Sequence, residues 1–154
     1  MGREFSLSVD AKGLVKAFEG APDKTKEMVR LQMKIAVERI RDYGSKHHRY
    51  TTRTGNLERN GINTKTEDAA GYLWLDNERV PYARAIHEGR GPFEIVPRNK
   101  KVLRWAAGGG FTFAKRVQHP GIKPDPFLYE AAEHELPGIE QDFAKALQNL
   151  LEEL

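Results

Sequence analysis

Apolar positions along the chain switch between two periods. Phe5, Leu7 and Val9 alternate with Glu4, Ser6 and Ser8, and this period of two predicts a half-buried strand. Asp10 stands where it would cap a short helix carrying Leu14, Val15 and Phe18 and closed by Gly20. Pro22 opens the next element at a first-turn position, where its missing N–H costs nothing. From there to residue 43 the apolar residues fall at Val29, Met33, Ala36, Val37 and Ile40, with Met28, Leu31 and Ile35 widening the stripe. The spacing predicts an amphipathic helix roughly 30 Å long, with Gly44 as its stop.

Residues 45–59 are basic and short of large apolar side chains, which argues for a loop followed by one helical turn. Residues 62–66 and 71–75 read as two strands joined by a polar turn through Glu67 and Asp68. Pro81 ends this extended run. Ala83, Ala85 and Ile86 suit a short helix stopped by Gly89, with Tyr82 and Ile86 as its core anchors. Residues 93–96 form a further strand, and a basic turn, residues 97–101, precedes Val102, Leu103 and Trp105. The triple glycine 108–110 predicts a flexible loop, with Phe111, Phe113 and Val117 flanking a strand beyond it. Asp125 and Pro126 mark a helix start as cap and first position. Pro137 is expected to break or kink that helix near Leu136, before a last helix bearing Ile139, Phe143, Ala146, Leu147, Leu150 and Leu154. The sum is one α+β domain over residues 1–154: a short antiparallel sheet, two long helices (N-terminal half and C-terminus) packed on one face, and flexible loops near 45–59 and 98–124.

Composition changes this picture little. The chain is 39% hydrophobic and 31% charged, with no apolar run of the roughly 18 residues that a membrane span needs and no apolar block at its start of the kind a secretory signal carries. Without cysteine, disulfide frameworks, thiolate metal sites and thiol catalysis drop out. Charge is more informative. Residues 1–60 carry 13 bases and 8 acids, residues 61–124 carry 11 and 6, and residues 125–154 carry 1 and 8. A basic body thus precedes an acidic tail segment, a dipole able to steer partners toward one another.

No chemistry-bearing motif is complete. His47, His48, His87, His119 and His134 lack metal-ligand spacing, and neither His87-Glu88 nor His134-Glu135 has a second histidine four residues on. There is no Gly-x-Ser-x-Gly elbow, and the triple glycine lacks the Gly-Lys-Ser/Thr ending of a phosphate cradle. Segment 46–59, with Lys46, Arg49, Arg53 and Arg59 around Tyr50, has the mixture of cations and an aromatic that suits phosphates and a stacked base. No catalytic, cofactor or metal set is assigned.

Four landmarks, taken in order, resemble the tail-completion or neck (head–tail joining) minor tail proteins of tailed bacteriophages. They are Arg53-Thr54-Gly55-Asn56-Leu57 after a long helix; Val80-Pro81-Tyr82-Ala83 leading to Ile86-His87-Glu88-Gly89; His119-Pro120-Gly121; and Pro124-Asp125-Pro126-Phe127-Leu128 with Ala131-Ala132. The segment from Ile95 to Arg104, and Phe113-Ala114-Lys115-Arg116-Val117, also look like a part many of these proteins carry. Arg90 stands where the family often has threonine. The resemblance covers roughly residues 14 to 135. It implies a non-catalytic virion protein that assembles as a homo-oligomeric ring, a hexamer in the family's pattern. Such a ring lies between a head connector or stopper protein and a tail terminator or tail tube protein. DNA would pass through without specific binding, there is no membrane step, and assembly takes place in the host cytoplasm. On that view Arg53, Arg90, Lys100, Lys101 and Arg104, with Phe111 and Phe113 as apolar anchors, are the candidate contacts to partners or to other copies, and the acidic last helix is a surface of opposite sign.

Two other readings stand beside it: a nucleic-acid-binding module using residues 46–59, and a hydrolase using His87 and Glu88. Ring stoichiometry, strongly salt-dependent DNA binding, or loss of an activity on His87 substitution would separate the three.

Overall fold

A computed structural model describes residues 6–10 and 22–153; the predicted helix with Leu14, Val15 and Phe18, which Asp10 was to cap, lies outside these residues. A three-stranded antiparallel sheet has the order β1 (Ser6–Asp10), β3 (Ala70–Leu75), β2 (Ile62–Glu67). Its register pairs Leu7 with Leu73 and Ile62 with Leu75. The two strands predicted at residues 62–66 and 71–75 are therefore present as β2 and β3, and Ile62, Leu73 and Leu75 are buried.

Helix α1 (Pro22–Lys46) packs on β2 and β3. Val29, Met33, Ala36, Val37 and Ile40 are all nearly inaccessible, whereas Leu31 and Ile35 lie outside the buried stripe. The helix runs through Gly44, which does not stop it. A Cβ at that position would stand 3.0 Å from Leu128 and 3.4 Å from Ala131, so the glycine serves close helix packing. A short α2 (Asn56–Asn60) precedes β2.

Helix α4 (Phe127–Glu152) lies along α1, and the two long helices with the antiparallel strands make the chain α+β. Pro137 sits inside α4 without ending it. Arg39 of α1 spans the weak point. Its Nε and Nη2 donate to Glu135 at 2.8 and 2.7 Å, and its Nη1 donates to Asp142 at 2.6 Å. Gly138, which follows the proline, leaves space for the guanidinium, since a Cβ there would overlap it. Burial alone would raise the Glu135 carboxyl, but hydrogen bonds from His134 and Arg39 outweigh it and hold the group below its ordinary range. One cation therefore ties the helix on both sides of its missing hydrogen bond.

Between sheet and α4 the chain makes the corner around α3 (Ala83–Glu88). Val80, Ala83 and His87, spaced three and four apart, are its buried face. Tyr82 was expected as a core anchor, yet it is 43% exposed; Ile86 is half-buried against the core. The side chain one position off the helical stripe turns to solvent. Phe127 is the central ring of the core, 5.3 Å from Tyr50 and 5.4 Å from His87 in edge-on contacts.

Replacing Arg39 by Ala should lower stability by about 1–3 kcal/mol, because two carboxylates lose their shared partner. Urea unfolding measures this. The loss should come with faster amide exchange around residues 133–138, and an unchanged exchange pattern there would count against the bracing role.

Candidate functional site

Residues 98–124, expected as a flexible loop, carry strands. Beyond α3 the chain runs out as β4 (Phe93–Ile95) and β5 (Leu103–Ala107), turns, and returns as β6 (Gly110–Ala114) and β7 (Val117–His119). Arg90 and Ile122 exchange backbone hydrogen bonds of 2.9 and 2.7 Å at the root. The same register continues through Phe93↔His119 and Ile95↔Val117. Residues 96–102 then oppose only residues 115–116, and pairing resumes at Leu103↔Ala114. Residues 90–122 thus form one antiparallel arm with a basic excursion on its outgoing strand.

The tip explains the triple glycine. Gly108 and Gly109 have φ of 57° and 82°, the positive pair that a two-residue type I′ turn requires. Gly110 is already the first residue of β6. Register places Arg104, Ala106, Phe111 and Phe113 on one face and Leu103, Trp105, Thr112 and Ala114 on the other. Both faces are largely open: Phe111 and Phe113 are each 59% exposed and Trp105 39%. The Arg104 guanidinium lies 4.3 Å from the Phe111 ring centre, and Arg90 lies 3.8 Å from that of Phe93. Each is a cation–π contact that leaves the guanidinium edge free to donate.

At the root lies a cleft of ≈ 490 Å³. Residues 50–58 form one wall, and Tyr82, Ile86 and Ile122 form the other. Asp125 holds these walls together. Its buried carboxylate accepts the backbone N–H of Arg49 at 2.5 Å and of Tyr50 at 2.9 Å, while its own N–H donates to the Ile86 carbonyl at 2.9 Å. The Arg49 guanidinium stands 3.3 Å from it and makes a bidentate pair with Glu130 at 2.8 and 2.9 Å. Asp125 is therefore not the cap of α4. Pro126 occupies the cap position with no side-chain hydrogen bond, and the helix begins at Phe127. Deeper in the same wall, Glu58 accepts from Thr52 at 2.5 Å and from Tyr50 at 3.1 Å. Burial works to raise the Glu58 carboxyl, but these donors hold it below its usual range. Burial and the Glu58 charge together push the Tyr50 phenol up.

Of the candidate contacts, Arg90, Lys100, Lys101, Arg104, Phe111 and Phe113 all lie on the arm and are exposed, whereas Arg53 lies off it, in the cleft. Within the basic segment 46–59, Arg49 is tied to Glu130, and Arg59 donates to the Thr54 carbonyl at 2.6 Å. His119 stacks on Phe93 at 4.6 Å and accepts the Gly121 N–H at 3.1 Å, so the His-Pro-Gly landmark closes the root of the arm. His87 and Glu88 are not brought together: His87 is 1% exposed in the core, and Glu88 faces solvent, bonded to Arg84 at 2.8 Å. Among the described residues no three His, Cys, Asp or Glu side chains are grouped to hold a metal ion, and no helix is long and apolar enough to cross a membrane.

No protein-family model matches the chain, and comparison with curated proteins and with solved structures gives no significant match.

Asp125→Ala should cost on the order of 2–3 kcal/mol, since two backbone N–H groups lose a charged acceptor; thermal or urea unfolding checks it. His87 supplies a pH signature. Burial lowers its pKa from the ordinary 6.5, so the unfolded chain binds that proton more readily. Stability should be full above about 6.5 and fall as pH drops toward the folded value. His87→Gln, neutral throughout, should flatten the stability curve between about pH 6.5 and 5.

Proposed function

We propose that this chain is a structural virion protein acting in head–tail joining or tail completion at the neck of a tailed bacteriophage. It assembles as a homo-oligomeric ring between connector and tail tube. The order and spacing of the four landmarks support this reading, and so does their convergence. Arg53-Thr54-Gly55-Asn56-Leu57 and Tyr82 line one cleft, Asp125 fastens its walls, and His119-Pro120-Gly121 closes the arm beside it.

The observation that carries the proposal is the arm. A two-stranded hairpin has little stability in water on its own, and this one exposes aromatic side chains on both faces. Exposed apolar surface of this kind marks an interaction site. Its cations, Arg98, Lys100, Lys101, Arg104 and Lys115, form no ion pair among the described residues, so they are available to a partner of opposite charge. An assembly protein needs such an element and needs no catalytic constellation. Connector or stopper would lie on one side of the ring and terminator or tube on the other, with DNA passing through the lumen.

Localising the chain in an imaged phage particle tests the reading: density for it at the head–tail junction is expected, and particles that lack it altogether would overturn the proposal. Reversing Lys100 and Lys101 to Glu should weaken ring formation about tenfold at low ionic strength and lower the yield of infectious particles, with the deficit narrowing as salt rises. Full-length rings and normal infectivity at both low and high salt would contradict it.

A further inference from the structure

The outward face of α4 has a pattern of its own. Tyr129, Glu133, Leu136, Glu140 and Ala144 are spaced four, three, four and four apart, which places them in a single stripe along the helix. All five are exposed, Tyr129 at 50% and Leu136 at 52%. The other acids of this helix have partners within the chain. Glu130 binds Arg49, and Glu135 and Asp142 bind Arg39. Glu133 and Glu140 form no ion pair among the described residues. The stripe thus alternates apolar side chains with uncommitted carboxylates.

The arm carries the reverse arrangement. Arg104, Ala106, Phe111 and Phe113 share one face, with Lys100 and Lys101 just beyond its end. Residues 90–124 hold eight bases and one acid, against one base and eight acids in residues 125–154. Arm and stripe are not seated on each other within the chain, since Phe111, Phe113 and Leu136 are all more than half exposed.

We infer that the arm of one copy docks on the α4 stripe of a second copy of this chain. Phe111 and Phe113 lie against Leu136 and Tyr129, and Lys101 and Arg104 meet Glu133 and Glu140. The contact deepens the ring part of the proposed function and rests on it, but it can be examined without any phage particle. Each copy owns one patch of each kind, so every copy both gives an arm and receives one; an arm given to the next copy rather than returned to the same one links copies head to tail and closes a ring.

Charge exchange tests this. One full-length variant has a reversed arm (K101E/R104E) and another a reversed stripe (E133K/E140K). All four positions are exposed, and melting curves verify that both variants fold. Association is followed over a concentration series at low salt by native mass spectrometry and sedimentation velocity. The wild type should form oligomers beyond a dimer that weaken with salt, and each variant alone should associate at least tenfold more weakly. Mixing the two should restore assembly as alternating copies, because each reversed arm then meets a reversed stripe. Restored assembly with no chain at the neck of imaged particles would overturn the proposed function and leave this contact standing. A wild type that stays monomeric throughout the series, variants that assemble as well as wild type, or a mixture that fails to recover would each overturn the contact.

Discussion

The carboxylate of Asp125 is the point on which the working part of this molecule depends. It is buried, and a buried charge is tolerated only where donors surround it. Here the donors come from the segment after α1, through the N–H groups of Arg49 and Tyr50, while the Asp125 backbone reaches Ile86 in the corner. Three segments distant in sequence are held at one spot, three residues beyond Ile122, where the arm returns to the body. The aromatic packing of Phe127 against Tyr50 and His87 follows from the same junction. Loss of the carboxylate would loosen the walls of the cleft and the root of the arm together.

From that anchored root the arm extends without support from a core. Its strands satisfy each other's backbone groups, and a glycine pair turns the tip, but pairing alone does not bury Trp105, Phe111 or Phe113. Sheets gain independent stability from a third strand or a packed face, and this hairpin has neither among the described residues. The cations along it give it a preferred kind of partner, and the acidic last helix offers that chemistry on every copy. A long, charged, aromatic arm rooted in a rigid junction is a reasonable means of linking subunits, and this is the physical content of the neck-protein proposal.

The body of the fold was legible in the sequence because its signals are periodic and local. Val29 to Ile40 gave the buried stripe of α1, and the two strands read at residues 62–66 and 71–75 are β2 and β3, paired antiparallel. The failures have a common origin in tertiary contacts that override local rules. Gly44 reads as a stop but is a packing position under Leu128. Pro137 reads as a break, and a guanidinium from another helix spans it. Asp125, between two prolines, reads as a cap, although its acceptors serve a segment some 75 residues away. In the arm the sign was present but misweighted: Gly108-Gly109 between apolar runs is a hairpin signal, and the third glycine made it look like a loop. The exposed stripe of α4 was also readable as a helical spacing. What no local pattern could reveal was that Arg39 and Arg49 would occupy the other carboxylates, leaving Glu133 and Glu140 for a partner.

The central claim is that the tip of the arm is completed by another molecule. Amide hydrogen exchange across residues 103–114 reads this directly, comparing dilute protein with the assembled state. The account predicts fast exchange when the chain is free and protection of at least tenfold on assembly, with matching protection along residues 129–144 of α4. Exchange in residues 103–114 that is equally slow in the free chain, or equally fast in both states, would contradict it.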